Sequence, residues 1–202
     1  METKFTEQES LQMITQMIQQ AQNNFKKGAG NLTIYWGCLL TFIVLLHFAL
    51  AFVIGNKAAF VWVLMLPGWI VASYIQKRIV RSAIVKTPIE RVINYTWVAF
   101  GISTGLLQLV FWAMYYHFGT FQQFVMEAPL ILIMSGGAQL ISGIAYRFRP
   151  FIIGGIIFWV GAIACLLILP QVLFHLLIMA ICMIFAYIVP GLRLNKKAKE
   201  NV

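Results

Sequence analysis

The sequence predicts an all-α integral membrane protein: a helical bundle of six transmembrane helices with both termini in the cytoplasm. Three observations lead there. The chain of 202 residues is 61% hydrophobic and only 10% charged, whereas a soluble domain carries roughly 25% charged residues and less than half apolar ones. Its apolar residues fall into six runs of membrane-crossing length, separated by turn or charge signals. Its basic residues gather on one side of those runs, as the positive-inside rule describes.

The spans lie at about 32–54, 58–76, 93–116, 126–146, 151–169 and 172–190, each long enough to cross roughly 30 Å of hydrocarbon as helix. Strands with open edges cannot satisfy their amides in lipid, so the spans must be helical. Pro88, Pro129, Pro150, Pro170 and Pro190 fall at span ends or in connections, where a missing amide costs little. Thr87, Pro88 and Glu90 read as a capping box with proline at the first helical position, which starts the third helix before it enters the membrane. Pro67 lies inside the second span beside Gly68 and predicts a kink.

With both termini inside, fourteen of the fifteen basic residues are cytoplasmic and only Lys57 is outside. The net charge of +9 is therefore topological, and no nucleic-acid partner is expected. The outer connections are short, the longest at about residues 117–125. The expected location is a cell membrane, with the lipid bilayer as the principal partner. The first thirty residues lack the apolar core of a cleavable signal, so the first span is expected to direct insertion. Cys38, Cys165 and Cys182 sit in apolar runs without CxxC spacing and read as small buried hydrophobes.

Three regions follow: an N-terminal cytoplasmic helix and linker over 1–30, the membrane domain over 31–190, and a basic cytoplasmic tail over 191–202. Thr6 and Glu9 frame a capping box for the N-terminal helix. Leu11, Ile14, Ile18, Ala21 and Phe25 then repeat at alternating three- and four-residue intervals. Two heptads are too short to be stable alone in water, and the polar face of glutamines lacks the basic rim of a lipid-binding helix. Leu11, Ile14, Ile18 and Phe25 are accordingly candidate docking residues, for a cytoplasmic protein partner, for a second copy through residues 9–25, or for the bundle itself.

The run "ESLQMITQMIQQAQNNFKKGAGNLTIYWG", Glu9 to Gly37, joins this helix to a glycine break and an aromatic-Trp-Gly start of the first span. It resembles an uncharacterised family of small bacterial membrane proteins in which a similar N-terminal segment precedes several spans. A small DNA-binding regulator is often encoded near members of that family. The resemblance covers about residues 9–37, beyond which only hydropathy matches. It implies a protein of the bacterial inner membrane with a link to regulation, and it supplies no activity, ligand or catalytic residue.

Two polar faces stand out inside the spans. Gly101, Thr104, Gly105 and Gln108 share one face of the third, and Ser135, Gln139, Ser142 and Tyr146 share one face of the fourth. A buried amide has up to four hydrogen bonds to satisfy and so faces protein or water. Thr104, Gln108, Ser135, Gln139 and Ser142 are thus candidate ligand-binding residues of a midplane site, or the adhesive surfaces by which membrane helices associate. His47, His117, His175 and Glu127 all fall in the outer half and form a candidate metal or proton site, although no two of them have the spacing that pairs ligands on one helix. Matching Asn-x-Thr and Trp-Gly features in the first and third spans raise a triplicated hairpin, while the interfacial preference of Tyr and Trp explains the same residues.

Catalysis has little support. The chain has no aspartate, and no carboxylate pair or Ser–His pair shares a plausible site within the membrane. Gly136, Gly137, Gly154 and Gly155 lie within spans and read as packing. No cofactor is expected. The function indicated is a non-enzymatic membrane protein with a cytoplasmic docking helix, in a sensing, regulatory or scaffold role; the alternative is a small transporter or permease-like protein using the midplane polar residues.

Overall fold

The computed structural model describes Gln12 and residues 29–81, 88–119, 122–169 and 171–200. Among these residues it is helical throughout, with no strand. The elements are α1 (Ala29–Ile54), a 3₁₀ segment (Gly55–Leu64), α2 (Met65–Arg81), α3 (Pro88–Phe118), a 3₁₀ turn (Gln122–Met126), α4 (Glu127–Ala145), α5 (Arg149–Leu167), α6 (Val172–Met183), a π turn (Ile184–Ile188) and α7 (Val189–Glu200). The candidate docking residues Leu11, Ile14, Ile18 and Phe25 lie outside the described residues, as does Thr87 of the capping box.

Five helical runs are long and apolar enough to cross a membrane: Gly30–Arg78, Ile89–Phe118, Phe124–Ala145, Arg149–Leu167 and Val172–Ala198. The first run is continuous because α1, the 3₁₀ segment and α2 follow one another directly in the chain. It is nonetheless bent back on itself. Ile54 leaves helical geometry at φ −118°, ψ 5°, and Gly55 takes φ +59°, a left-handed value that glycine adopts without penalty. Beyond that corner the two arms pair antiparallel. Trp62 Nε1 donates to His47 Nδ1 at 3.1 Å, Trp36 meets Trp69 edge to face, and the Tyr35 hydroxyl donates to the Gly68 carbonyl at 2.8 Å.

The prolines show where the chain resets its helical phase. Pro67 does not kink the middle of a helix: it is the third residue of α2, where the 3₁₀ segment has just ended. Pro88, Pro129, Pro150 and Pro190 likewise stand in the first turn of α3, α4, α5 and α7. Where a helix begins afresh a first-turn amide has no intrahelical acceptor, so proline removes nothing there; Pro190 differs, because α7 continues directly from the π turn and the preceding turn has a carbonyl to satisfy.

The core is built by α1, α4, α5, α6 and the π turn around Val44, Leu132, Phe158, Ala162, Met179, Met183 and Ala186. α4 and α5 form its tightest pair, joined by a turn in which Arg147 takes φ +50° and Phe148 N–H returns to the Gly143 carbonyl. Their backbones touch at Gly136 and Gly155, where a methyl built on either would sit 2.8–2.9 Å from the other's carbonyl oxygen. Of the four paired glycines, Gly136, Gly154 and Gly155 are packed this way, and Gly137 faces open space. Two helices are peripheral: α2 rests on α1, and α3 rests on α4. Their outer faces, with Ile70, Tyr74, Ile102, Leu106 and Leu109 exposed, are the lipid-facing kind.

The C-terminal segment is not a free tail. α7 continues from the π turn and buries Gly191, Leu194 and Ala198 on one face. Leu194 packs with Phe148 and Phe151. Asn195, on the same side of α7, accepts from Gly30 N–H at 3.0 Å and donates to Asn31 Oδ1 at 2.6 Å. One side chain of the last helix thereby binds two successive residues of α1, a backbone amide at Gly30 and a side chain at Asn31.

Candidate functional site

Ser135, Gln139 and Ser142 recur at helical spacing on α4, and all three are buried. They face the point where α6 stops being an α-helix. In the π turn the Val189 amide reaches back five residues to Ile184, one further than an α-helix would. The Ala186 carbonyl should receive the amide of residue 190, but Pro190 has none. Gln139 supplies the missing donor: its Nε2 lies 2.9 Å from the Ala186 oxygen. Gly154 of α5 closes the same spot from the other side, where a methyl would stand 2.9 Å from that oxygen.

Around this contact the other polar groups are largely internal. Ser142 donates to the Ala138 carbonyl one turn back at 2.8 Å and accepts from Trp97 Nε1 of α3 at 3.1 Å. Trp97 also packs against Tyr187 of the π turn, ring centroids 5.9 Å apart, and Tyr187 meets Phe158 of α5 edge to face. The Ser135 hydroxyl is enclosed without a hydrogen bond of ordinary geometry. The result is a buried polar node that ties α3, α4 and α5 to the π turn.

The second polar face does not join it. Thr104 donates to Phe100 of its own helix at 2.9 Å. Gln108 donates to Glu127, at the opposite end of α4 from Ser142. Gly101 and Gly105 face open space, with no atom within 4 Å of a built methyl, so among the described residues these two glycines of α3 make no close helix–helix contact. Thr104, Gln108, Ser135, Gln139 and Ser142 are thus divided between separate contacts and do not assemble one ligand site. The physical reason is that each amide has found a protein partner on a different neighbour.

The histidine cluster does not assemble either. His47 is held by Trp62 within the α1 hairpin, His117 stands at the exposed end of α3 against Tyr116, and Glu127 is engaged by Gln108. His175 is 1% exposed in the core, with both ring nitrogens lacking a hydrogen bond of ordinary geometry. Among the described residues, no three His, Cys, Asp or Glu side chains come together in a way that could hold a metal ion. Cys165 and Cys182 are buried as the sequence suggests, while Cys38 is exposed on α1.

A helical-wheel reading of the spans passes over Trp97, Tyr187 and Asn195. Asn195 had a signal, since Gly191, Leu194, Asn195 and Ala198 repeat at helical spacing. Pro190 held the other, because a proline inside an apolar run marks the carbonyl four residues earlier as lacking its donor.

These features define a class: an all-helical bundle with five helical runs long and apolar enough to span a membrane. No known family model, curated protein or solved structure matches the chain.

Proposed function

We propose that the protein is a non-enzymatic, multi-pass membrane scaffold or regulatory protein with six crossings and both termini in the cytoplasm. The hairpin contacts of the first helical run support the sixth crossing. Residues 58–64 as 3₁₀ helix and 65–76 as α-helix together rise about 32 Å, enough for the hydrocarbon layer. The observation that carries the scaffold reading is the Gln139–Ala186 contact. The most central amide of the bundle holds a backbone carbonyl in a tightly packed interior, and a transport site would leave it open to substrate. Photo-crosslinkers placed at Leu11 and Ile18 of the full chain should capture a discrete cytoplasmic protein, or a second copy, that a chain lacking residues 1–25 no longer retains. Retention of the same partners by the truncated chain would refute the docking role.

A second reading, a small transporter, has one observation in its favour. Glu127 is a carboxylate within a membrane-length run, held by Gln108 of the peripheral helix α3, and intramembrane ionisable groups tend to be functional. On that reading Gln108→Leu combined with Gln139→Leu abolishes flux or ligand-induced thermal stabilisation in reconstituted vesicles.

A further inference from the structure

α5 and α6 leave an open groove along their outer seam. It holds about 360 Å³ and is walled by Ile153, Ile156, Val160 and Ala164 of α5 and by Ile178 and Ile181 of α6. Every wall residue is apolar. Along α5 the groove runs from Ile153 to Ala164, eleven residues or about 16 Å of helix. That is half the hydrocarbon thickness, the depth of a single leaflet.

Its shallow end is basic. Arg149 stands one turn before Ile153 and shares a helix face with Ile153, Ile156 and Val160. The turn preceding α5 carries Arg147, exposed at φ +50°. α7, which follows α6 through the π turn, brings Lys197 over the Phe148 ring, 6.0 Å from its centroid, with Arg193 one turn away. Among the described residues, Arg147, Arg149 and Arg193 have no carboxylate partner. Phe148 and Leu194 are buried between these cations, so the basic groups are held by packed elements.

A one-leaflet apolar groove headed by clustered cations is complementary to one kind of molecule, an amphiphile with a long chain and an anionic head. We propose that the α5–α6 seam binds one anionic phospholipid, its acyl chain in the groove and its phosphate on Arg149, Arg193 and Lys197. The inference rests on the reading that α5 and α6 cross a bilayer. Basic clusters at the ends of membrane helices recognise anionic head groups in this way, each cation adding a few-fold to the affinity. A neutral lipid fits the groove equally well and gains nothing at its mouth.

The test uses the full chain in detergent, titrated with dioleoyl phosphatidylglycerol or dioleoyl phosphatidylcholine, with retained lipid counted by native mass spectrometry. The wild-type chain should hold one phosphatidylglycerol in preference to phosphatidylcholine by at least about tenfold. Arg149→Gln with Lys197→Gln should weaken phosphatidylglycerol on the order of 30-fold and leave phosphatidylcholine unchanged. Ala164→Phe fills the deep end of the groove without altering charge and should lower phosphatidylglycerol retention as well. If a variant melts early, Arg193→Gln and Ile181→Phe repeat the two arms at other positions. Equal retention of the two lipids by the wild-type chain overturns the proposal, as does a phosphatidylglycerol preference that survives both arms. Displacement by millimolar inorganic phosphate, with no effect of Ala164→Phe, would also overturn it by reducing the site to a bare anion patch. Alkaline carbonate extraction of native membranes tests the bilayer reading separately: release of the chain would remove that reading whatever the lipid preference.

Discussion

Replacing Gln139 with leucine removes one hydrogen bond and little volume, because the two side chains are of similar size. The bond removed is the 2.9 Å contact to the Ala186 carbonyl, which is buried and has no amide at position 190 to fall back on. Leaving a buried carbonyl unsatisfied costs about 1–3 kcal/mol, and side-chain hydrogen bonds measured inside membrane bundles average about 0.6 with a maximum near 1.7 kcal/mol. Gln139→Leu should therefore destabilise the bundle by about 1–2 kcal/mol. Pro190→Ala restores an amide at the position that normally serves residue 186. In that background Gln139→Leu should cost much less, giving a coupling of about 1 kcal/mol between the two positions. The assay is reversible unfolding of the four chains of the cycle in mixed detergent micelles, followed by tryptophan fluorescence. The cycle cancels whatever Pro190→Ala does alone to the path of α7. Equal costs in the two backgrounds, within about 0.3 kcal/mol, would refute the idea that Gln139 stands in for the missing amide.

Two further substitutions test other contacts. Gly154→Ala places a methyl 2.9 Å from the Ala186 oxygen and 3.2 Å from its Cα, so backbone must move and the bundle should lose about 1–3 kcal/mol; Gly101→Ala and Gly105→Ala meet no atom and should be neutral or gain up to about 1 kcal/mol each, in the same unfolding assay. Asn195→Ala removes both hydrogen bonds to the start of α1 and should cost about 1–2 kcal/mol, with faster amide exchange at Gly30 and Asn31 measured by mass spectrometry.

Much of the secondary structure was legible from hydropathy and proline alone. Runs of apolar residues specify helices in lipid because no other element satisfies its backbone there, so α3, α4, α5 and α6 lie close to the expected spans. The corner at Gly55 was legible as a connection, since Asn56 and Lys57 interrupt the apolar run. The long 3₁₀ segment after it was not, because a change from four- to three-residue hydrogen bonding leaves no mark on composition. The polar residues were legible as buried, and their partners were not. Gln108 and Gln139 look equivalent by depth and residue type, but α3 is peripheral and rests mainly on α4 while α4 sits in the core, and that difference depends on which helices neighbour each other. The histidines illustrate the same limit: His47 and His175 both fall in the outer half of the expected spans, one held by Trp62 across a hairpin and one enclosed in the core.

The π turn before Pro190 inserts one extra residue into the turn, and one residue of an α-helix is about 100° of rotation. It therefore works as an angular setting between α6 and α7. The face of α6 that lies against Gly161 through Cys182 and the face of α7 that carries Asn195 to Asn31 belong to one polypeptide rod with a fixed offset between its halves. A chain without that extra residue would keep α6 in place and turn α7 about its own axis. Leu194 would leave the Phe148 pocket and Asn195 would leave the start of α1. The closure of the bundle, last helix onto first, thus depends on a single residue of helical phase.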